Sequence, residues 1–155
     1  MPILYVLCGP SGAGKTTYVK THNWNKHIKY VSRDEIRFSL LKEDEDYFSH
    51  EKEVFKNFSN TIRRTLIDNF DVIADATHLN VFSRKKLTNA IDNYFTDYNI
   101  IYIVFDTPLE EILHRNEKRE GRARVPEQTL RSMYNGFNPP TFNEDKRIID
   151  IWTVS

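Results

Sequence analysis

The residues best suited to chemistry open the chain. Gly9-Pro10-Ser11-Gly12-Ala13-Gly14-Lys15-Thr16 fits G-x-x-x-x-G-K-[ST] without a mismatch and directly follows the apolar run Ile3 to Cys8. A buried strand feeding a glycine-rich turn that opens a helix points successive backbone N–H groups into one concavity, where the positive end of the helix dipole also acts. The chemistry is phosphate binding. Lys15 is expected to reach the β- and γ-phosphates of a nucleoside triphosphate and the Thr16 hydroxyl to ligate Mg²⁺. Gly9, Ser11, Gly12, Ala13, Gly14 and Thr17 complete the expected cradle.

A phosphate loop by itself implies only a nucleoside triphosphate, because switches and motors direct water at the γ-phosphate. A kinase for an alcohol also needs an acceptor site and a base. Three later features supply candidates. Ser32-Arg33-Asp34-Glu35 matches the capping box S-x-x-E, so a helix is expected to start there, with Asp34 and Arg37 on one face three residues apart. Asp34 could take the proton of an attacking hydroxyl while Arg37 holds an anionic part of the acceptor; the alternative is that the two only pair, with Asp34 favouring the helix dipole. Asp75 ends a third apolar run. It reads as a magnesium partner like a Walker-B aspartate, as an acceptor-site group fixing Arg37 or a ribose, or as a helix N-cap.

The third feature is basic. Between Arg115 and Arg124 lie four arginines and one lysine around Gly121. These residues would form a lid, about 115–125, whose arginines neutralise charge on the transferred phosphoryl group and exclude water; a solvated basic helix end is the alternative.

Elements must place these groups together. Ile28 to Val31, Val72 to Ala74, Ile100 to Phe105 and Ile148 to Trp152 read as further strands, and the unbroken apolar run at 100–105 as a central strand covered on both faces. Helical spacing is expected over Thr16 to His22, from Ser32, from about Ser49 to Asn69, over Val81 to Tyr94, from Pro108 into the basic cluster, and from Val125-Pro126-Glu127 to Gly136. Asp106 or Thr107 is the expected cap of the helix that starts at Pro108. Lys42 to Glu53, with six acids and two lysines, reads as a solvated loop. Strands alternating with helices predict an α/β fold, a parallel sheet of about five strands with helices on both faces and right-handed crossovers.

At 155 residues a single domain spanning the chain is expected, large enough to bury about two thirds of its unfolded surface. The formal net charge of zero means that any attraction for a polyanion must be local. Cys8 is the only cysteine and excludes an internal disulfide; the five histidines lack zinc-site spacing. The opening apolar run is too short for a signal sequence, and no stretch approaches membrane-spanning length, so a cytoplasmic protein without a membrane partner is expected.

Several segments together carry a resemblance: Gly9 to Thr17, Ser32-Arg33-Asp34-Glu35-Ile36-Arg37, Asp75 to Asn80, Arg115-Asn116-Glu117-Lys118-Arg119 and Val125 to Tyr134. The chain resembles, over essentially its whole length, the kinase domain of phage-type polynucleotide 5′-hydroxyl kinases, through S-R-D-x-x-R, R-N-x-K-R and V-P-x-x-x-L-R-S-M-Y in that order. The resemblance implies a P-loop kinase fold with an arginine lid and ATP-dependent, Mg²⁺-assisted phosphorylation of 5′-hydroxyl DNA or RNA ends. It implies Asp34 as general base, Lys15 and Arg119 as catalytic cations, and Arg115 and Arg119 on the nucleotide. Arg37 would bind the acceptor phosphate, with Asp75 beside the acceptor. A phage-encoded protein acting in its host fits this likeness.

Departures are visible as well. Ala76 separates Asp75 from Thr77, as in the D-x-T-N of cellular relatives, and His78 stands where those have asparagine. An extra residue between Arg119 and Val125 leaves Arg122 and Arg124 without individual counterparts. The phosphatase motif D-x-D-x-T is absent. No 3′-phosphatase activity is therefore expected, and end repair would need a separate 3′-phosphatase or ligase. Two other readings remain at this stage: a P-loop kinase for a small alcohol, a nucleoside or a hydroxymethylated base in DNA, and an NTP-binding module without phosphotransfer.

Overall fold

The computed structural model describes all 155 residues apart from the side chain of Arg122. Five strands, β1 (Ile3–Cys8), β2 (Ile28–Ser32), β3 (Asp71–Asp75), β4 (Asn99–Phe105) and β5 (Ile148–Val154), form one sheet in the order β2-β3-β1-β4-β5. Every pairing is parallel. This is the expected α/β sheet, with β1 and its phosphate loop at the centre.

The apolar runs are explained by burial on both faces. Alternate residues of β1 enter opposite cores: Leu4, Val6 and Cys8 pack with α3 (Glu51–Ile67) and α4 (Val81–Asp92) through Phe58, Ile62, Leu66, Leu87 and Ile91. Tyr5 and Leu7 pack on the other side with Ile112 of α5 (Leu109–Glu117) and Leu130 of α6 (Glu127–Asn135). Tyr18 and Val19 of α1 (Lys15–Thr21) join that second core. Ile36 of α2 (Arg33–Leu40) packs against the first.

Several expectations shift. Neither Asp106 nor Thr107 caps α5, whose N-cap is Pro108 without a side-chain bond. The Thr107 hydroxyl instead donates to the carbonyl of Ala13 at 2.7 Å, tying the β4–α5 corner to the phosphate loop. Helix α5 stops at Glu117 rather than continuing through the basic cluster, which closes in a short 3₁₀ turn at Gly121–Ala123. Helix α4 is capped by Asn80, which accepts from the amide of Ser83 at 2.8 Å, and it ends at Asp92 rather than at Tyr94. Among the described residues, no helix is long and apolar enough to cross a membrane.

Candidate active site

A cleft of about 750 Å³ opens at the carboxyl ends of the strands and is lined from the phosphate loop across to α2, α3 and α5. Parallel α/β sheets place their ligand sites here, because the loops that follow the strands converge at this edge. Gly12 (φ 84°) and Gly14 (φ 100°) take left-handed conformations that only glycine adopts at no steric cost, and a Cβ on Gly14 would lie 3.2 Å from a guanidinium nitrogen of Arg115. The amide of Gly9 donates to the carbonyl of Thr77 at 2.9 Å, which anchors the loop to the strand end of β3.

Lys15 spans the loop, donating from Nζ to the carbonyls of Gly9 at 2.7 Å and Pro10 at 3.2 Å. Burial lowers the pKa of its ammonium, while the nearby Asp75 and Asp34 carboxylates act to raise it. The first-turn amides of α1 have no helical acceptors and face the same concavity. Thr16 lines the cleft with an exposed side chain.

Opposite the loop, the Ser32 hydroxyl accepts from the amide of Glu35 at 3.2 Å, one half of the expected capping box, and α2 starts at Arg33. That start brings Asp34 and Arg37 together on the cleft wall. Arg37 is buried, with its guanidinium held by three side chains through four hydrogen bonds. Its Nε and Nη2 donate to the two oxygens of Glu51 at 2.8 and 2.7 Å, and Nη1 donates to Tyr47 Oη at 2.7 Å and to Asp34 Oδ1. Tyr47 in turn donates its hydroxyl proton to the same Oδ1 at 2.6 Å. Asp34 is thus oriented through one oxygen, while its side chain stays 60% exposed to the cleft. Burial raises the pKa of the Tyr47 phenol, and the Asp34 carboxylate beside it acts in the same direction, so the phenol remains a donor. The Arg37 guanidinium holds the Glu51 carboxyl below the usual range.

Tyr47, Phe48 and Glu51 all line the cleft and fall within the stretch that reads in sequence as a solvated loop. That reading holds for the exposed turns at 42–50 and fails from Glu51, where α3 begins. The exposed acids belong to ordered turns: the amide of Ser49 donates to the carbonyl of Asp46 at 3.1 Å, and His50 Nε2 contacts Glu45 at 2.7 Å. Asp75 is no N-cap. It is a buried strand-end carboxylate that accepts from the Tyr30 hydroxyl and lines the cleft; burial raises its pKa, and Lys15 acts against that rise. The carboxylates that fix Arg37 are Glu51 and Asp34 rather than Asp75.

From the far wall, Arg115 of α5 donates to the carbonyl of Gly12 at 3.0 Å, and Arg119, two residues past the end of that helix, also approaches Gly12. Arg124 lines a separate, smaller hollow. Asn116 closes the base of this segment by donating to the carbonyl of Val125 at 2.6 Å and accepting from its amide at 2.9 Å. Among the described residues, no group of three or more His, Cys, Asp or Glu could hold a metal ion. The oxygen donors Thr16 and Asp75 do suit a magnesium ion, which keeps most of its waters and binds through substrate phosphates.

Residues 4–140 match the AAA domain family. A protein of Autographa californica nuclear polyhedrosis virus that carries the provisional name bifunctional polynucleotide kinase/RNA ligase is 24% identical over 147 residues, covering 86% of this chain and 20% of that protein. A chain of the Pnkp1/Rnl/Hen1 RNA repair complex superposes with a TM-score of 0.72 and 25% identity over 87% of this chain and 43% of its own. A sugar kinase of Janibacter sp. superposes with a TM-score of 0.67 at 17% identity, covering 97% of this chain and 86% of its own. The chain therefore spans under half the length of the first two, and the third likeness bears on the fold alone.

Proposed function

The chain belongs to the AAA domain family and carries a P-loop kinase fold, and from its cleft we propose that it transfers the γ-phosphate of ATP to the 5′-hydroxyl end of DNA or RNA. One observation carries this reading: an oriented but exposed carboxylate, Asp34, shares a single cleft with the phosphate loop, with Arg115 of α5 and with Arg119 just beyond that helix. A pure nucleotide binder has no use for that carboxylate.

In the proposed reaction the 5′-oxygen of the acceptor forms a bond to the γ-phosphorus, the bond to the β–γ bridging oxygen breaks, and ADP leaves. The hydroxyl proton passes to Asp34, whose Oδ1 is held by Arg37 and Tyr47. Lys15, Arg115 and Arg119 neutralise charge on the donor phosphates, and Thr16 and Asp75 would hold the magnesium ion. Bound there, that ion would neutralise charge on the β- and γ-phosphates. Arg37 faces the acceptor's first phosphate, and Asp75 lies between the two halves of the site. The viral relative's name joins a polynucleotide kinase to an RNA ligase, which fits a product passed on to ligation.

A small-alcohol acceptor is the second reading. Glu51 and Asp34 already neutralise Arg37, which removes part of its need for a phosphate partner. One assay separates the two. Labelled γ-phosphate is expected to pass to a 5′-hydroxyl oligonucleotide, not to its 5′-phosphorylated form or to sugars and nucleosides. Asp34→Ala is expected to lower turnover by about 10²–10⁴-fold, with ATP affinity unchanged. Transfer to sugars or nucleosides alone would overturn the polynucleotide reading.

A further inference from the structure

Phe48 belongs to neither hydrophobic core, yet it stands on the wall of the cleft with 61% of its surface exposed. Its neighbours hold it in place. The Tyr47 ring meets it edge-to-face at 4.7 Å, and Phe38, itself half-exposed, meets Tyr47 at 5.9 Å. The guanidinium carbon of Arg37 lies 5.8 Å from the Phe48 ring centre. The turns at 42–50 are pinned by internal bonds, including Ser49 Oγ to the carbonyl of Asp46 at 2.7 Å and the amide of Lys42 to Glu45 at 2.8 Å. The ring is therefore presented on a fixed support, next to the proposed base and the proposed phosphate-binding arginine.

An exposed aromatic beside an arginine inside a polar cleft is the arrangement on which unpaired bases stack, since every base offers a π-face. The electrostatics narrow the occupant further. Asp44 and Asp46, both exposed, precede Phe48 on its loop and would repel phosphates. A base suits this rim and a sugar-phosphate backbone does not. Resting on the polynucleotide reading above, we propose that Phe48 is the stacking platform for the 5′-terminal nucleobase of the acceptor. The end is then taken unpaired, because a complementary strand would bring its own phosphates against the acidic turns. Strand-end geometry is thereby selected by a side chain that takes no part in the proton transfer.

The test is a cycle between protein and substrate. Steady-state transfer is measured for wild type, Phe48→Ala and Phe48→Trp, on a single-stranded 5′-hydroxyl oligonucleotide and on the same strand with an abasic 5′-terminal residue. Phe48→Ala is expected to raise KM for the normal end about tenfold, with kcat within about twofold. Phe48→Trp should restore KM, and the abasic end should penalise wild type about tenfold but Phe48→Ala hardly at all. Equal penalties in both proteins, or an unchanged KM in Phe48→Ala, would overturn the proposal and leave the kinase reading intact. A blunt duplex end phosphorylated as well as the single strand would overturn the requirement for an unpaired base. Transfer to no polynucleotide end of any kind would instead sink the kinase reading itself, and this inference with it.

Discussion

The buried histidine beside the phosphate loop shows how one residue couples packing to pH. His78 sits at φ 43°, is buried, and places Nδ1 2.8 Å from the carbonyl of Leu7, so that Nδ1–H donates and the ring is neutral. Burial pushes its pKa down to about 4, and the cations Lys15, Arg33 and Arg84 act in the same direction against the Leu7 hydrogen bond. The unfolded chain takes up this proton near the ordinary pKa of about 6.5, whereas the folded chain refuses it until about 4. Stability from this group is therefore full above pH 6.5 and is lost as the pH falls towards 4, by about 3 kcal/mol at most. Urea midpoints at pH 7.5 and 4.5 measure the loss. His78→Asn, which tolerates the left-handed backbone, is expected to lose markedly less stability over that interval, and an equal loss would show that other groups carry the acid sensitivity. The same scale explains what could be read from sequence. Asp34 and Arg37 were visible because three residues of helix separate them. Glu51, Tyr47 and Tyr30 were not, because they reach their partners across 14, 13 and 45 positions, and only tertiary packing brings those together.

At the scale of elements, the connections between strand ends and helices matter more to the site than the helices themselves. Thr107 was read as a candidate helix cap, a local role open to any threonine before Pro108; the fold uses it across 94 positions to hold the carbonyl of Ala13. Local capping rules could not show this, since the acceptor lies on another loop. Boundaries were otherwise legible to within a few residues, because apolar runs and the Ser32 and Pro126 signals mark them directly. The exception was the basic cluster, where helical charge spacing continued past the true end of α5 at Glu117. Thr107→Val keeps the shape and removes the hydroxyl. It is expected to leave a buried carbonyl short of a partner, costing about 1 kcal/mol and lowering Tm by about 2–4 °C. The KM for ATP should also rise, while KM for the acceptor stays unchanged. If Tm falls with no change in the KM for ATP, the bond stabilises the corner without shaping the nucleotide site.

For the molecule as a whole, the order β2-β3-β1-β4-β5 sets the cleft wall built on α2, after β2, and the one built on α5, after β4, on opposite sides of the central strand. Parallel strands and two-sided burial were legible in the apolar runs, but their spatial order was not, because hydrophobic pattern is the same whichever strand lies next to β1. That order gives a bound nucleotide an unusual reach. The phosphate loop packs through Ala13 into the core formed with α5 and α6, and through Gly9 it is bonded to Thr77 beyond β3, beside the other core. Lys15 closes it from within, and Arg115 of α5 and Arg119 beyond that helix line the same cleft. A ligand there joins groups that unfolding would separate, so binding must raise the stability of the entire chain by linkage. At a hundred times its Kd, MgATP is expected to add about 2.7 kcal/mol and raise Tm by about 5–10 °C. Chelating the magnesium should shrink that shift, Lys15→Ala should abolish it, and Asp34→Ala should retain it because its proposed work is on the acceptor hydroxyl. Loss of the shift in Asp34→Ala would move that carboxylate from the acceptor side of the reaction to the nucleotide side.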